Sequence, residues 1–456
     1  MKIINSRRSF IKNMGAGLLG GAAFGSGILP AFANAATNSS SQYKALICLN
    51  LNGGNDAFNT IVPMADSVYA NYNKIRQELA LPKEKLNALV HANTASAPYG
   101  LHPVLGDVSK LYNKGKLAVV ANLGNLIEPV EKASYKQAGT RLPSSLFAHN
   151  DQAIFSHALN NGPLDSGWAG RIAEALGDFN INQQLAMNIT LSGSNQLQRG
   201  HEIMPFGLTK AGINKMSALS EDNPGDLSAK RAQLYRHFLG RNHANPLQQY
   251  FSDTGTQAWT MSKYVADILD RQPKINTPLM SSRGLSESFA TVARIIAANQ
   301  DFQVKRQIFY INFGPFDTHG YQLIGQANLL TELNSALSEF YETLTALGYE
   351  DKVTTFTLSE FGRTLSRNGT DGTDHGWGSH HFVMGGAVKG QQIFGKMPSL
   401  ELGSDDDIGE GRIIPTLSFD QYAATLAQWF GVSSDDVDKI FPNLKNFSTK
   451  NIGFLT

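Results

Sequence analysis

The chain has one cysteine, Cys48, so it forms no intramolecular disulfide and relies on its packed core for stability. Cys48 lies in an apolar run, which is the setting of a core residue rather than a nucleophile. Charge is also scarce. Only 17% of residues are charged and they nearly cancel, at +1 overall. That balance argues against nucleic acid as the main partner, and no polybasic stretch marks a membrane surface. Beyond the N-terminus no apolar run approaches the roughly 20 residues of a membrane span, so the mature chain is expected to make no stable membrane insertion. There is no internal repeat of solenoid length.

What is present begins with an address. Arg7 and Arg8 stand together in SRRSFIK, a Gly/Ala-rich run follows from Met14 to Leu29, and Ala33-Asn34-Ala35 is a small-x-small site. This is the three-part layout of a cleavable export signal. Paired arginines before a weakly hydrophobic core resemble the twin-arginine type. Residues 1–35 are therefore expected to be a signal peptide read by the twin-arginine export machinery, and 36–43 a Ser-rich linker. The expected location is the periplasm or outside the cell. A membrane anchor fits less well, because the apolar run is short and rich in glycine.

From Lys44 the pattern is that of one large α/β domain, 44–456. Ala45–Leu49 is an apolar run ending in Gly-Gly, a buried strand entering a loop. A helical pattern, a turn at Gly115 and a second buried strand at Leu117–Asn122 follow, which suggests a parallel sheet. SGWAGRIAEAL reads as a helix with Ser166 as its cap. A helical insertion is expected at about 207–299, with patterns over Leu227–Leu239, Pro246–Leu269 and Leu285–Ala298. Strands are then expected at Ile308–Phe313 and Val353–Leu358, separated by a long amphipathic helix carrying Leu329, Leu333, Leu337, Phe340 and Leu344.

The polar residues follow a regularity. Asp56 follows the first strand, Asp317 and His319 follow the strand ending at Phe313, and Glu360 follows the strand ending at Leu358. Asp374 and His375 come soon after, in TLSEFGRTLSRNGTDGTDHGWGSHHF, where charge is dense for this chain. Ligands of open parallel sheets bind beyond the carboxyl ends of the strands. A set of carboxylates and imidazoles at that edge suits zinc, manganese or calcium, or metal-free acid/base work, with Arg363 gripping an anionic group. Plainer arrangements also fit. Gly53-Gly54-Asn55-Asp56 suits a tight turn with an Asx cap, Asp317-Thr318-His319 a helix cap, and Glu360 with Arg363 a structural ion pair.

LNGGNDAFNTIVP, FDTHGYQ, SEFGRT, GTDHGWG and FVMGGAVKG occur in the order of the exported bacterial proteins grouped as domain of unknown function family 1501, and the chain resembles that family from about Lys44 to Val432. Through it the chain resembles the alkaline phosphatase and sulfatase superfamily. The resemblance implies a mostly parallel central sheet sandwiched by helices and a site for cleaving phosphate or sulfate esters with metal. It implies Asp56, Asp317, His319, Glu360 and His375 as metal ligands, to which the polar set itself adds Asp374, with Phe361 standing where relatives usually place a ligand histidine. It implies a nucleophile in LPSSLFAHNDQ, Ser145 first and Ser144 second, with Leu146 where the family often has histidine. The expected function is an exported metal-dependent hydrolase of small anionic esters. The alternative is a non-catalytic binding or assembly protein that keeps the fold.

Overall fold

The computed structural model describes residues 42–159, 165–182, 185–213, 225–272 and 284–456, and the expected signal peptide lies outside them. Among these residues the main sheet has nine strands: β1 (Lys44–Leu51), β2 (Leu117–Gly124), β3 (Asn188–Thr190), β4 (Phe206–Gly207), β5 (Arg306–Phe313), β6 (Val353–Leu358), β7 (Ser379–Met384), β8 (Ile393–Phe394) and β9 (Leu417–Ser418). Their order is β8-β2-β7-β6-β1-β5-β3-β4, with β9 also on β2. Neighbours are parallel except that β7 runs against both β2 and β6. Between β6 and β7 the chain makes a two-stranded hairpin (Arg363–Arg367 with Thr373–His375) in place of a crossover helix, and β7 returns in the opposite sense. The sheet is thus α/β and mostly parallel, as expected.

β1 is buried along its length after Lys44, as an apolar strand covered on both faces must be. Ala45, Ile47 and Leu49 enter one core with the helices Leu285–Ala297 and Gln322–Leu347. Leu46 and Cys48 enter the other with the helices Trp168–Ala175 and Phe419–Phe430. Alternate side chains of a strand point to opposite faces, so one strand serves both layers. Cys48 is a buried free thiol in the second core, and Trp377 and Trp429 are buried as well.

Helices occupy Leu227–Leu239, Pro246–Arg271 and Leu285–Ala297 within the expected insertion. The third packs into the main core, with Phe289 against Phe340 at 4.6 Å between ring centroids. Ser166 does not cap the helix at Trp168–Ala175. Gly167 holds the N-cap position, and the Ser166 hydroxyl meets Arg171 and His201 instead. No helix among the described residues is long and apolar enough to cross a membrane.

Four helices bear on the site: α1 (Ala57–Thr60), α2 (Asp66–Arg76), α3 (His149–Ala158) and α4 (Gln322–Leu347). Leu51 is in register with Phe313, and Asn50 with Leu358. The loops after β1, β5 and β6 therefore leave the sheet at one level.

Candidate metal centre

The three loops meet because the first has no side chains where they touch. Gly53 has φ +108, and a Cβ there would lie 2.6 Å from the Asp317 nitrogen. Its N–H donates to Glu360 Oε1 at 2.9 Å. Gly54 has φ +79, and its absent Cβ would strike the Phe361 ring at 2.5 Å. Both glycines are needed for backbone conformation and for clearance.

At this junction Asp317 sits among three histidines. Asp317 Oδ1 is 2.9 Å from His319 Nε2 and 3.2 Å from His375 Nε2, and Asp317 Oδ2 is 3.3 Å from His149 Nε2. One ligand atom each from His149, Asp317 and His375 falls within 4.8 Å of the others. Each ring's second nitrogen faces an oxygen. His149 Nδ1 lies 2.8 Å from Glu360 Oε1, His319 Nδ1 lies 3.0 Å from Asp374 Oδ1, and His375 Nδ1 lies 2.7 Å from the Phe147 carbonyl. A carboxylate or carbonyl accepts only, so a neutral ring that donates from Nδ1 turns a bare Nε2 inward. His149 Nε2 is buried and, among the described residues, has no well-aligned hydrogen-bond partner, only the ion-pair contact to Asp317 Oδ2.

Arg363 holds Asp317 from behind. Its side chain is wholly buried, Nη1 donates to Asp317 Oδ1 at 2.6 Å, and its other donors go to the hydroxyl and carbonyl of Thr373. Burial opposes the Asp317 charge, but Arg363, with His319 and His149, holds the carboxyl below its ordinary pKa. Asp374 is likewise held low against burial, by Asn368 and His319. The hydrogen bond to Glu360 raises His149 despite partial burial, and burial lowers His375. The site thus combines ionised carboxylates with imidazoles in two different electrostatic settings.

The segment bearing His149 is pinned at several points. Ser145 and Phe147 have φ of +49 and +74, and the Phe147 carbonyl is the acceptor for His375. Buried Gln152, one turn into α3, donates to the carbonyls of Ser144 and Ser145 at 2.7 and 3.3 Å. Asn125 joins Gln152 to the Glu360 carbonyl.

The expected residues separate into groups. Asp317, His319 and His375 converge, and the two-residue spacing of Asp317 and His319 lets both reach the same point. Glu360 and Asp374 stand behind His149 and His319 as acceptors for their Nδ1 protons, not at the centre. Asp56 is not in the cluster. It caps α1 through the Phe58 N–H and pairs with buried Arg76 at 2.5 and 2.8 Å, so the Asx-cap alternative describes it. Arg363 is committed to Asp317 and Thr373 and has no free face for an anion. Ser144 and Ser145 are exposed, and among the described residues neither hydroxyl hydrogen-bonds to the centre. Phe361 packs its ring on His149 and His375, with centroids 4.8 and 4.7 Å apart. His380 and His381 lie in β7, where burial pushes them to about 4 and about 3 and keeps them neutral.

His149 is the residue that sequence reasoning missed. Its signal was position, a histidine opening a helix just after the two serines of LPSSLFAHNDQ.

The family described as "Protein of unknown function (DUF1501)" matches residues 43–408, and the chain belongs to that family. No curated protein matches the chain. Solved structures similar to it include the PsFucS1 sulfatase from Pseudoalteromonas sp., 10% identical with a TM-score of 0.38 over 87% of this chain and 70% of that one. A Bacteroides thetaiotaomicron protein tied by its description to glycosaminoglycan metabolism is 10% identical, with a TM-score of 0.35 over 91% and 77%. A mutant of the alkaline phosphatase PafA is 10% identical, with a TM-score of 0.22 over 71% and 64%.

Proposed function

We propose that this member of the DUF1501 family is a metal-dependent hydrolase of phosphate or sulfate esters that acts after twin-arginine export, in the periplasm or outside the cell. One observation carries it: three imidazoles with committed Nδ1 atoms turn their Nε2 atoms toward the Asp317 carboxylate. Lone pairs facing a carboxylate repel unless a proton or a cation lies among them. The orphaned His149 Nε2 and the nitrogen-rich donor set fit a divalent ion, zinc ahead of manganese, and fit calcium least because calcium takes oxygen ligands. His149, Asp317, His319 and His375 would hold it. Such an ion supplies Lewis-acid polarisation of an ester oxygen.

The chain's own groups do the rest. Glu360, Asp374 and the Phe147 carbonyl fix the tautomers and ring planes of the three histidines. Arg363 fixes the Asp317 carboxylate. Ser145, or Ser144 beside it, is the proposed nucleophile, exposed in the turn before α3 with its backbone held by Gln152. Partly exposed Arg412, whose Nη1 pairs with the exposed Glu410 carboxylate, takes the anion-orienting role expected of Arg363. Its Nε donates to the His375 carbonyl at 3.2 Å, and its guanidinium lies over the Phe147 ring at 5.1 Å.

A second reading, a binding or assembly protein on the same fold, draws on the serine hydroxyls, which do not bond to the centre. Turnover separates the two. Protein purified through its native export route is expected to carry divalent metal and to cleave members of a phosphate and sulfate ester panel, with activity lost in His375→Ala and Ser145→Ala. Metal-free protein whose melting temperature ignores added zinc, manganese and calcium would overturn the metal reading. Metal-loaded protein without turnover would favour the binding role.

A further inference from the structure

Two of the carboxylates expected to bind metal, Asp317 and Asp56, have opposite surroundings. Asp317 is faced by the Nε2 atoms of three histidines. Among the described residues Asp56 is faced only by donors: Arg76 Nη2 and the Phe58 N–H on Oδ1, Arg76 Nη1 and Gln322 Nε2 on Oδ2. A carboxylate offers about four acceptor sites, so these four donors fill it. The Asp56 and Arg76 side chains are both 0% exposed.

A chain of hydrogen-bonded polar side chains links the two carboxylates. The Gln322 amide bonds Asp56, and its Oε1 accepts from the hydroxyls of Thr373 at 2.6 Å and Thr318 at 3.2 Å. Thr373 in turn accepts from Arg363 Nε at 3.2 Å, and Arg363 bonds Asp317. Two guanidiniums therefore stand where carboxylate charge would otherwise call for cations. Ligand atoms of His149, Asp317 and His375 lie within 4.8 Å of one another, and His319 Nε2, beside Asp317 Oδ1 and His375 Nε2, would make up the four that one tetrahedral zinc takes, while Glu360 Oε1 and Asp374 Oδ1 each face an imidazole Nδ1.

We infer that the centre binds a single divalent ion, and that Arg76 is a resident cation that closes Asp56 to a second. This rests on the metal reading proposed above but makes a narrower demand. Asp56 and Arg76 then act together as a buried structural pair, and removing both leaves the ion in place, since a buried pair is often replaceable by uncharged side chains.

Elemental analysis of zinc-saturated, desalted protein tests it, together with zinc affinity from chelator competition. The expected result is one zinc per chain in the wild type and in the Asp56→Asn/Arg76→Met double variant, with affinities within about threefold, and loss of the zinc in His375→Ala. Removing a ligand's supporting partner typically costs about 10–100-fold in affinity. A loss of that size in the double variant, or two ions in the wild type, would overturn the single-ion inference while leaving a metal centre standing. Zero ions in the wild type would overturn both. If the double variant does not fold, the wild-type count decides between one ion and two.

Discussion

His319 Nε2 and His375 Nε2 stand 3.0 Å apart, each on a ring whose Nδ1 already faces an acceptor. With both rings neutral, two lone pairs point at one another beside a carboxylate. A cation relieves that repulsion, so the first expectation concerns stability. Zinc at about one hundred times its Kd should stabilise the fold by about 2.7 kcal/mol, seen as a rise in melting temperature. His149→Ala should abolish the rise as fully as His375→Ala does. A His149→Ala protein that still responds like wild type would remove His149 from the ligand set.

Glu360 and Asp374 act through the histidines they face. Glu360→Gln and Asp374→Asn are each expected to weaken zinc binding by about 10–100-fold without changing the number of ions bound. Chelator competition on the folded variants gives the affinities. Unchanged affinity in both would show that the two carboxylates only tie loops together.

Gly54 and Phe361 are coupled by contact. Gly54→Ala adds a Cβ in the left-handed region and drives it into the Phe361 ring, with an expected loss of about 2 kcal/mol. In a Phe361→Leu background part of that loss should disappear, because the flat ring is gone. Denaturant unfolding of the four proteins of this cycle measures the coupling, and strict additivity would show that the clash is relieved elsewhere.

Asp420, fully buried near the start of the helix Phe419–Phe430, has its carboxyl pushed up by burial to about 7, only partly opposed by Asn443 and Arg171. The folded chain keeps this proton while the unfolded chain releases it near pH 4. The contribution is therefore full below about pH 4 and declines as pH rises to about 7, by a few kcal/mol. Asp420→Asn should flatten stability between those limits and raise it at pH 8. Unfolding curves across that range check the sign, and an unchanged slope in the variant would assign the dependence to another group.

Much of the fold could be read from local pattern. β1, β2, β5 and β6, the turn at Gly115 and α4 follow from apolar runs and helical spacing, which depend on near neighbours in the chain. The loops after the strands were legible for the same reason, and so were Asp317, His319 and His375. Partner choice was not legible. Asp56 and Asp317 both follow strands in polar loops, yet one meets Arg76 and the other meets imidazoles, and only the packed helix α2 decides which. Arg363 looked available for an anion because its burial depends on how the hairpin folds back over Asp317. Phe361 read as a missing ligand because its neighbour His149 lies far away in sequence.

The histidine cluster also bears on a chain with a single cysteine. His149, the Asp317–His319 pair and His375 come from three stretches widely separated along the polypeptide, and their side chains knot those stretches at one point. Closing loops of that length costs entropy that grows slowly with the length enclosed, and these contacts, unlike a covalent bridge, offset that cost only in the folded state. The same side chains that form the candidate centre therefore hold together, in the folded chain, segments that no disulfide links, and loosening any one of them frees long loops as well as a ligand.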